Sequence, residues 1–373
     1  MRRTAWVALV GTGLSVALIN NPLAAHAATD DGPGSLADHT IGSTIAPNGD
    51  NNPHSLSVVP ANYSGGPLTP GDVLVGDVNN AAGVQDQGRT ILAFHNGTPT
   101  GFSTAATAPI ATVFNANGSA LWVAAFGPAD NGTAGSIAVL HGTSTTATPT
   151  PVVAGTPFAG GVIPDSAGPW GLEFNHTATA PAFFWSNADG TIIRDSKLGM
   201  SFASSTATKN VQTPIAHLSF NPARSFSQGT VVAPQGTADD AATDTHYVAD
   251  SQSDEVVALP GANTATAPIT PTVILRGGPL HTPQGLAIDP DTGNLLVVNG
   301  AVDNNLIELS TEGRVTSTRN LDPTRAPGAL FGLTTTQDTD GDTAVYYVND
   351  NTLHQLTPNN QQGHSNNHQE HTN

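Results

Sequence analysis

The chain has 373 residues, with 29 acidic against 11 basic side chains and a formal net charge of −18. A phosphate backbone repels such a surface, which excludes nucleic acid as a partner on electrostatic grounds. There is no cysteine, so disulfides and thiolate metal sites are excluded and stability must come from packing.

Residues 1–27 have the make-up of a secretory signal peptide. Arg2 and Arg3 form the charged start, Trp6 to Ile19 the apolar run, and Ala25-His26-Ala27 the small-x-small cleavage site. That run has 14 residues, short of the roughly 20 that span a bilayer. Cleavage after Ala27 implies a secreted or extracytoplasmic protein. No other stretch approaches membrane length, so the expectation is a mature monomer without a membrane span.

Residues 28–39 are polar and expected to be a flexible segment, and Thr40–Ala46 reads as a short strand. From Pro53 a pattern recurs six times, with a proline before each expected innermost strand: Pro53, Pro109, Pro169, Pro214, Pro283 and Pro327. The clearest copy begins at Pro283. Its apolar runs Gly285–Ile288, Leu295–Val298, Leu306–Leu309 and Val315–Thr318 are separated by Asp-Pro-Asp-Thr-Gly-Asn, Gly-Ala-Val-Asp-Asn-Asn and Thr-Glu-Gly. Runs this short with such turn residues between them are strands, and four in succession make one propeller blade. Second strands repeat at Val73–Asp77, Leu121–Phe126, Phe183–Asn187, Tyr247–Asp250, Leu295–Asn299 and Val345–Asn349.

The sixth copy supplies only three strands, the last being Thr352–Leu356. Thr40–Ala46 is therefore expected to complete it and remove two open sheet edges. The predicted architecture is all-β: a single six-bladed β-propeller of four-stranded antiparallel blades over residues 40–357, closed by an N-terminal strand. Residues 358–373 form an expected disordered tail rich in Asn, Gln and His. Its His364, His368 and His371 lie in a context too rich in Asn and Gly for a helix.

The stretches TPQGLAIDPDTGNLLVVN and THYVADSQSDEVVAL resemble blades of NHL-repeat propellers and of the gluconolactonase, senescence-marker-like propellers. NHL-like propellers are mostly binding platforms. The gluconolactonase-like ones are metal-dependent lactone hydrolases, in which a glutamate of the first blade, asparagines of the middle blades and an aspartate that doubles as base hold a divalent cation. This chain departs from that set. The first-blade stretch is Asn52-Pro53-His54, position 284 is Gln, and the strand-end aspartate is replaced by Asn299. Losing the carboxylates weakens a hard-cation site and removes the base.

In a propeller, the loops entering the innermost strands and those joining second to third strands open on one face. A ligand site is therefore expected at the channel mouth, built from His54, Asp77, Trp170, Asn187, His217, Asp250, Gln284, Asn299 and Asn349. Trp170 offers a flat stacking surface, while His54 and His217 can bind metal or move protons. Each Asn or Asp can equally cap its own turn. The expected partner is a small ligand, a glycan or a protein, with a propeller hydrolase or lyase as the alternative. Asp338, Asp340 and Asp342 alternate around Gly341 like the start of a calcium loop, making calcium a candidate cation. An acidic hairpin explains the same residues without metal.

Overall fold

The second strands are largely apolar on both faces because both faces are covered. In the computed structural model, which describes residues 32–64, 66–125, 135–140, 150–153, 168–175, 182–195, 212–218, 234–300, 303–323, 329–337 and 341–358, they belong to six four-stranded antiparallel sheets arranged as a propeller. Blade one is β2 (Asn51–Val58), β3 (Val73–Asn79), β4 (Ile91–His95) and β5 (Thr98–Ser103). Blade two is β6 (Pro109–Phe114), β7 (Leu121–Ala125), β8 (Ser136–Leu140) and β9 (Thr150–Val153). Blade three is β10 (Pro169–Asn175), β11 (Ala182–Asn187), β12 (Thr191–Asp195) and β13 (Gln212–His217). Blade four is β14 (Pro234–Asp240), β15 (Thr245–Asp250), β16 (Glu255–Pro260) and β17 (Thr272–Arg276). Blade five is β18 (Pro283–Ile288), β19 (Leu295–Asn299), β20 (Asn305–Leu309) and β21 (Val315–Asn320). Blade six is β22 (Leu330–Gln337), β23 (Thr343–Asn349) and β24 (Thr352–Thr357), with β1 (Ala37–Ser43) as its outermost strand.

Six apolar clusters fill the six interfaces between neighbouring blades. The second strands feed two clusters each: Leu295 and Val297 of β19 enter the cluster shared with blade four, Leu296 and Val298 the one shared with blade six. This is why Leu-Leu-Val-Val shows no polar alternation, although the strand has the usual period of two.

The six innermost strands share one irregularity. Their first residues Pro109, Pro169, Pro234, Pro283 and Leu330, and Pro53 as the third residue of β2, pair with Ala125, Asn187, Asp250, Asn299, Asn349 and Asp77 of the second strands, and the register then slips. Two positions after these residues stand Ser55, Ala111, Gly171, Gly236, Gly285 and Gly332. Here each strand presses on the next blade. A Cβ on Gly236 would lie 2.5 Å from Leu286 N and 2.6 Å from Gln284 O, and one on Gly332 would lie 2.8 Å from His54 O. Since backbone cannot step aside, Gly236→Ala is expected to cost about 3 kcal/mol. Gly101→Ala on outer strand β5, with nothing within 4 Å, is expected to cost nothing; urea melts of the two variants compare them directly.

Two expectations need correction. The closing strand is Ala37–Ser43, not 40–46, so residues 37–39 belong to the sheet rather than to a loose segment. Asp38 fixes this register by accepting hydrogen bonds from Tyr347 Oη at 2.6 Å and from His354 Nδ1 at 3.1 Å. Arg319 holds the approach by donating to the carbonyls of Pro33 and Leu36. Second, the Pro214 stretch is not innermost. It is β13, the outer strand of blade three, and blade four begins at Pro234, whose Pro-Gln-Gly repeats that of Pro283. Residues 1–31 and the tail beyond 358 lie outside the described residues, as do Pro327, Asp338 and Asp340.

Candidate ligand site at the channel mouth

Because the innermost strands are level where the register slips, the residue after each of those paired positions forms one ring: His54, Ile110, Trp170, Gln235, Gln284 and Phe331. The ring stands at one end of a central channel of about 830 Å³ lined by the innermost strands. It is lopsided. Trp170 turns into the apolar cluster between blades two and three, whereas His54, Ile110, Gln235, Gln284 and Phe331 line the channel.

The polar side is short of partners. His54 is 5% exposed and stacks on Phe331 with centroids 3.8 Å apart. Burial lowers its pKa to about 3, so the ring is neutral at physiological pH. Asn52 Nδ2 approaches His54 Nε2 at 3.3 Å and Asn79 Oδ1 at 3.2 Å. Accepting at Nε2 leaves the proton on Nδ1, which has no hydrogen-bond partner. Gln284, 1% exposed, has neither amide atom paired, and Gln235 Oε1 is also unpaired. An unpaired buried polar atom costs about 1–3 kcal/mol, so four on one ring mark a place that expects polar atoms from outside the chain.

Among the expected site residues the ring holds His54, Trp170 and Gln284, and of these only His54 and Gln284 line the channel. Trp170 is buried in the core rather than presented for stacking. His217 is exposed at the end of outer strand β13, because its stretch is not innermost. Asn299 caps its own loop, accepting from His281 N at 3.1 Å and donating to Pro279 O at 2.7 Å and Asp303 Oδ1 at 3.0 Å. Asp250 Oδ1 accepts from Gln252 N at 3.0 Å, and Asn187 O accepts from Gly190 N at 2.9 Å. Asn349, half-buried beside Leu330, keeps an unpaired Oδ1. Asp77, opposite Pro53, is fully buried with both carboxyl oxygens unpaired. Burial, and next the charge of Asp50, raise its pKa to about 9, so it is a neutral acid at pH 7.

The sequence reading omitted Gln235, whose signal was the repeated Pro-Gln-Gly. It also passed over Glu173 and Asp239, which line the channel further from the mouth. The signal at Glu173 was an acid inside a largely apolar innermost strand, PWGLEFN; Asp239, in PQGTADD, carried none of that kind.

These donors do not fit the divalent cation of the resembled enzymes. His54 and Gln284 replace first-blade glutamate and amide, the oxygen of Asn299 is spent on its loop, and Asp77 holds its proton. Among the described residues, no three His, Asp or Glu side chains are grouped to hold a metal ion. Asp342, the described member of the calcium-like stretch, belongs to no such group.

No family model matches the chain, and no curated protein matches it in sequence. Solved structures do match its fold. A gluconolactonase from Xanthomonas campestris aligns at 15% identity and a TM-score of 0.55, over 87% of this chain and 90% of that one. An auxiliary nutrient binding protein from Bacteroides thetaiotaomicron aligns at 10% identity and a TM-score of 0.56, over 86% of this chain and 76% of that one. At such identities the likeness is one of fold: the chain has the six-bladed architecture of gluconolactonase-like propellers.

Proposed function

We propose that the protein is an exported binding propeller that takes a small, neutral, hydroxyl-rich ligand at its channel mouth. The observation that carries this reading is the set of unpaired buried atoms on His54, Gln235 and Gln284. Imidazole N–H and amide N–H₂ donate while two amide oxygens accept, which suits hydroxyls that do both. The stacked His54–Phe331 pair offers an apolar face beside them. With no fixed charge on the ring, a charged ligand group would lose hydration there without compensation. The signal-like residues 1–27 support export, and no described helix is long and apolar enough to cross a membrane. A metal-dependent hydrolase finds no support in the donor set.

Calorimetric titration with a panel of monosaccharides, polyols and sugar lactones tests the reading. A ligand that binds the wild type is expected to bind His54→Ala and Gln284→Ala at least about tenfold more weakly, the equivalent of one lost hydrogen-bonding group. Both truncations also leave a cavity, His54→Ala losing its stack on Phe331, so the variants are expected to melt lower while staying folded at the titration temperature. Undiminished affinity in both variants would place binding elsewhere and overturn the proposal.

A further inference from the structure

The channel below the mouth has a different chemistry. Three positions after Pro53, Pro169, Pro283 and Leu330, four blades carry Leu56, Leu172, Leu286 and Leu333. All four line the channel and form an apolar collar. Beyond the collar stand two acids on adjacent blades, Glu173 on β10 and Asp239 on β14. Strand rise puts them about 10 Å below the ring of glutamines.

Among the described residues no lysine or arginine lines the channel. Glu173 Oε1, again among the described residues, accepts from its neighbour's amide alone, Phe174 N, at 2.9 Å. The Asp239 side chain is 1% exposed and its Oδ1 accepts no hydrogen bond. The titratable group behind it is His246 on β15, at 3.7 Å and stacked on Phe184. Asn263 reaches Asp239 Oδ2 at 3.4 Å. A cation entering the lumen would meet two oxygen acceptors after crossing an apolar sleeve. Two carboxylates suit an ammonium with three N–H donors, whereas a metal ion needs a larger oxygen shell.

We propose that Glu173 and Asp239 form a second subsite in the channel, which binds the ammonium group of an organic amine whose hydrocarbon part lies against the leucine collar. The subsite stands apart from the neutral mouth and does not depend on what the mouth binds. Glu173 holds a proton up to about pH 8, through burial first and the charge of Asp239 second. Amine binding at pH 7 therefore displaces about one proton to solvent.

The test titrates the full mature chain with hexylamine, with hexanol and calcium chloride as parallel probes. Hexylamine is expected to bind, to release about one proton when heats are compared in two buffers of different ionisation enthalpy, and to bind Glu173→Gln and Asp239→Asn at least tenfold more weakly. Hexanol should not distinguish wild type from variants, and calcium should not bind. Melting temperatures no lower than that of the wild type show that both variants fold; Glu173→Asp, which keeps the charge, should restore part of the affinity. The proposal is overturned if hexylamine fails to bind the wild type, if it binds the neutral variants equally well, or if calcium alone occupies the site.

Discussion

Deleting residues 32–43 lowers the melting temperature by more than about 10 °C, because several kcal/mol are lost and each shifts a domain of this size by a few degrees. β1 is the only strand of blade six that does not come from the chain's C-terminal part, and it pairs with β24 from Ala37↔Thr357 to Ser43↔Thr352. Removing it exposes a bare edge and unfastens two blades. Ile41 packs on the cluster between blades six and one, Leu36 on that between five and six. A gentler variant isolates the latch. Asp38→Ala orphans Tyr347 Oη, whose residue is fully buried and whose bond to Asp38 is 2.6 Å. It is expected to cost about 2 kcal/mol. Differential scanning calorimetry reads both; a deletion that melts with the wild type would mean that the ring does not close through β1.

Stability falls as pH rises, most steeply between pH 6.5 and 8. Asp77 and Glu173 have folded-state pKa values raised from 3.8 to about 9 and from 4.5 to about 8. Above pH 4.5 the unfolded chain has released both protons while the native state keeps them. Each acid then destabilises the fold by up to about 1.4 kcal/mol per pH unit. His54 acts in the opposite sense, since its pKa is lowered from 6.5 to about 3. Its burial penalty eases as pH climbs from 3 to 6.5, offsetting one of the two acids, and nothing offsets them above that. Urea unfolding at half-unit pH steps is expected to show this steepening, and Asp77→Asn to remove close to half of the slope above pH 6.5. A slope unchanged in that variant would mean that Asp77 is ionised or solvated in the native protein.

The sequence made the blades legible because each is a local meander, whose turns announce themselves. At Asp289–Gly293 the aspartate accepts from Asp291 N at 2.9 Å and Thr292 Oγ1 at 3.0 Å, and Gly293 takes φ 72°. The innermost strand of blade four was harder to find. Pro214-Ile-Ala-His is as apolar as a true innermost strand, because β13 buries Ile215 and Ala216 in the cluster between blades three and four. Composition could not separate the two roles, since Ala216 is as small as the Ala111 of a true innermost strand; the Pro-Gln-Gly that Pro234 shares with Pro283 could. The site was legible in part for a similar reason. Position along the strand identified the mouth ring, but not which way each side chain turns. Trp170 turned to the core because aromatic neighbours Phe174 and Trp122 fill that interface, and Asn299 turned to its loop.

A crystal structure at a resolution that orders water, determined in the presence of a bound sugar or polyol, tests the mouth most directly. Ligand hydroxyls, or ordered waters in their place, are expected within hydrogen-bonding distance of His54 Nδ1, Gln235 Oε1 and both amide atoms of Gln284. The contrary result would be these atoms paired to one another or to the chain, with the ligand bound away from the ring.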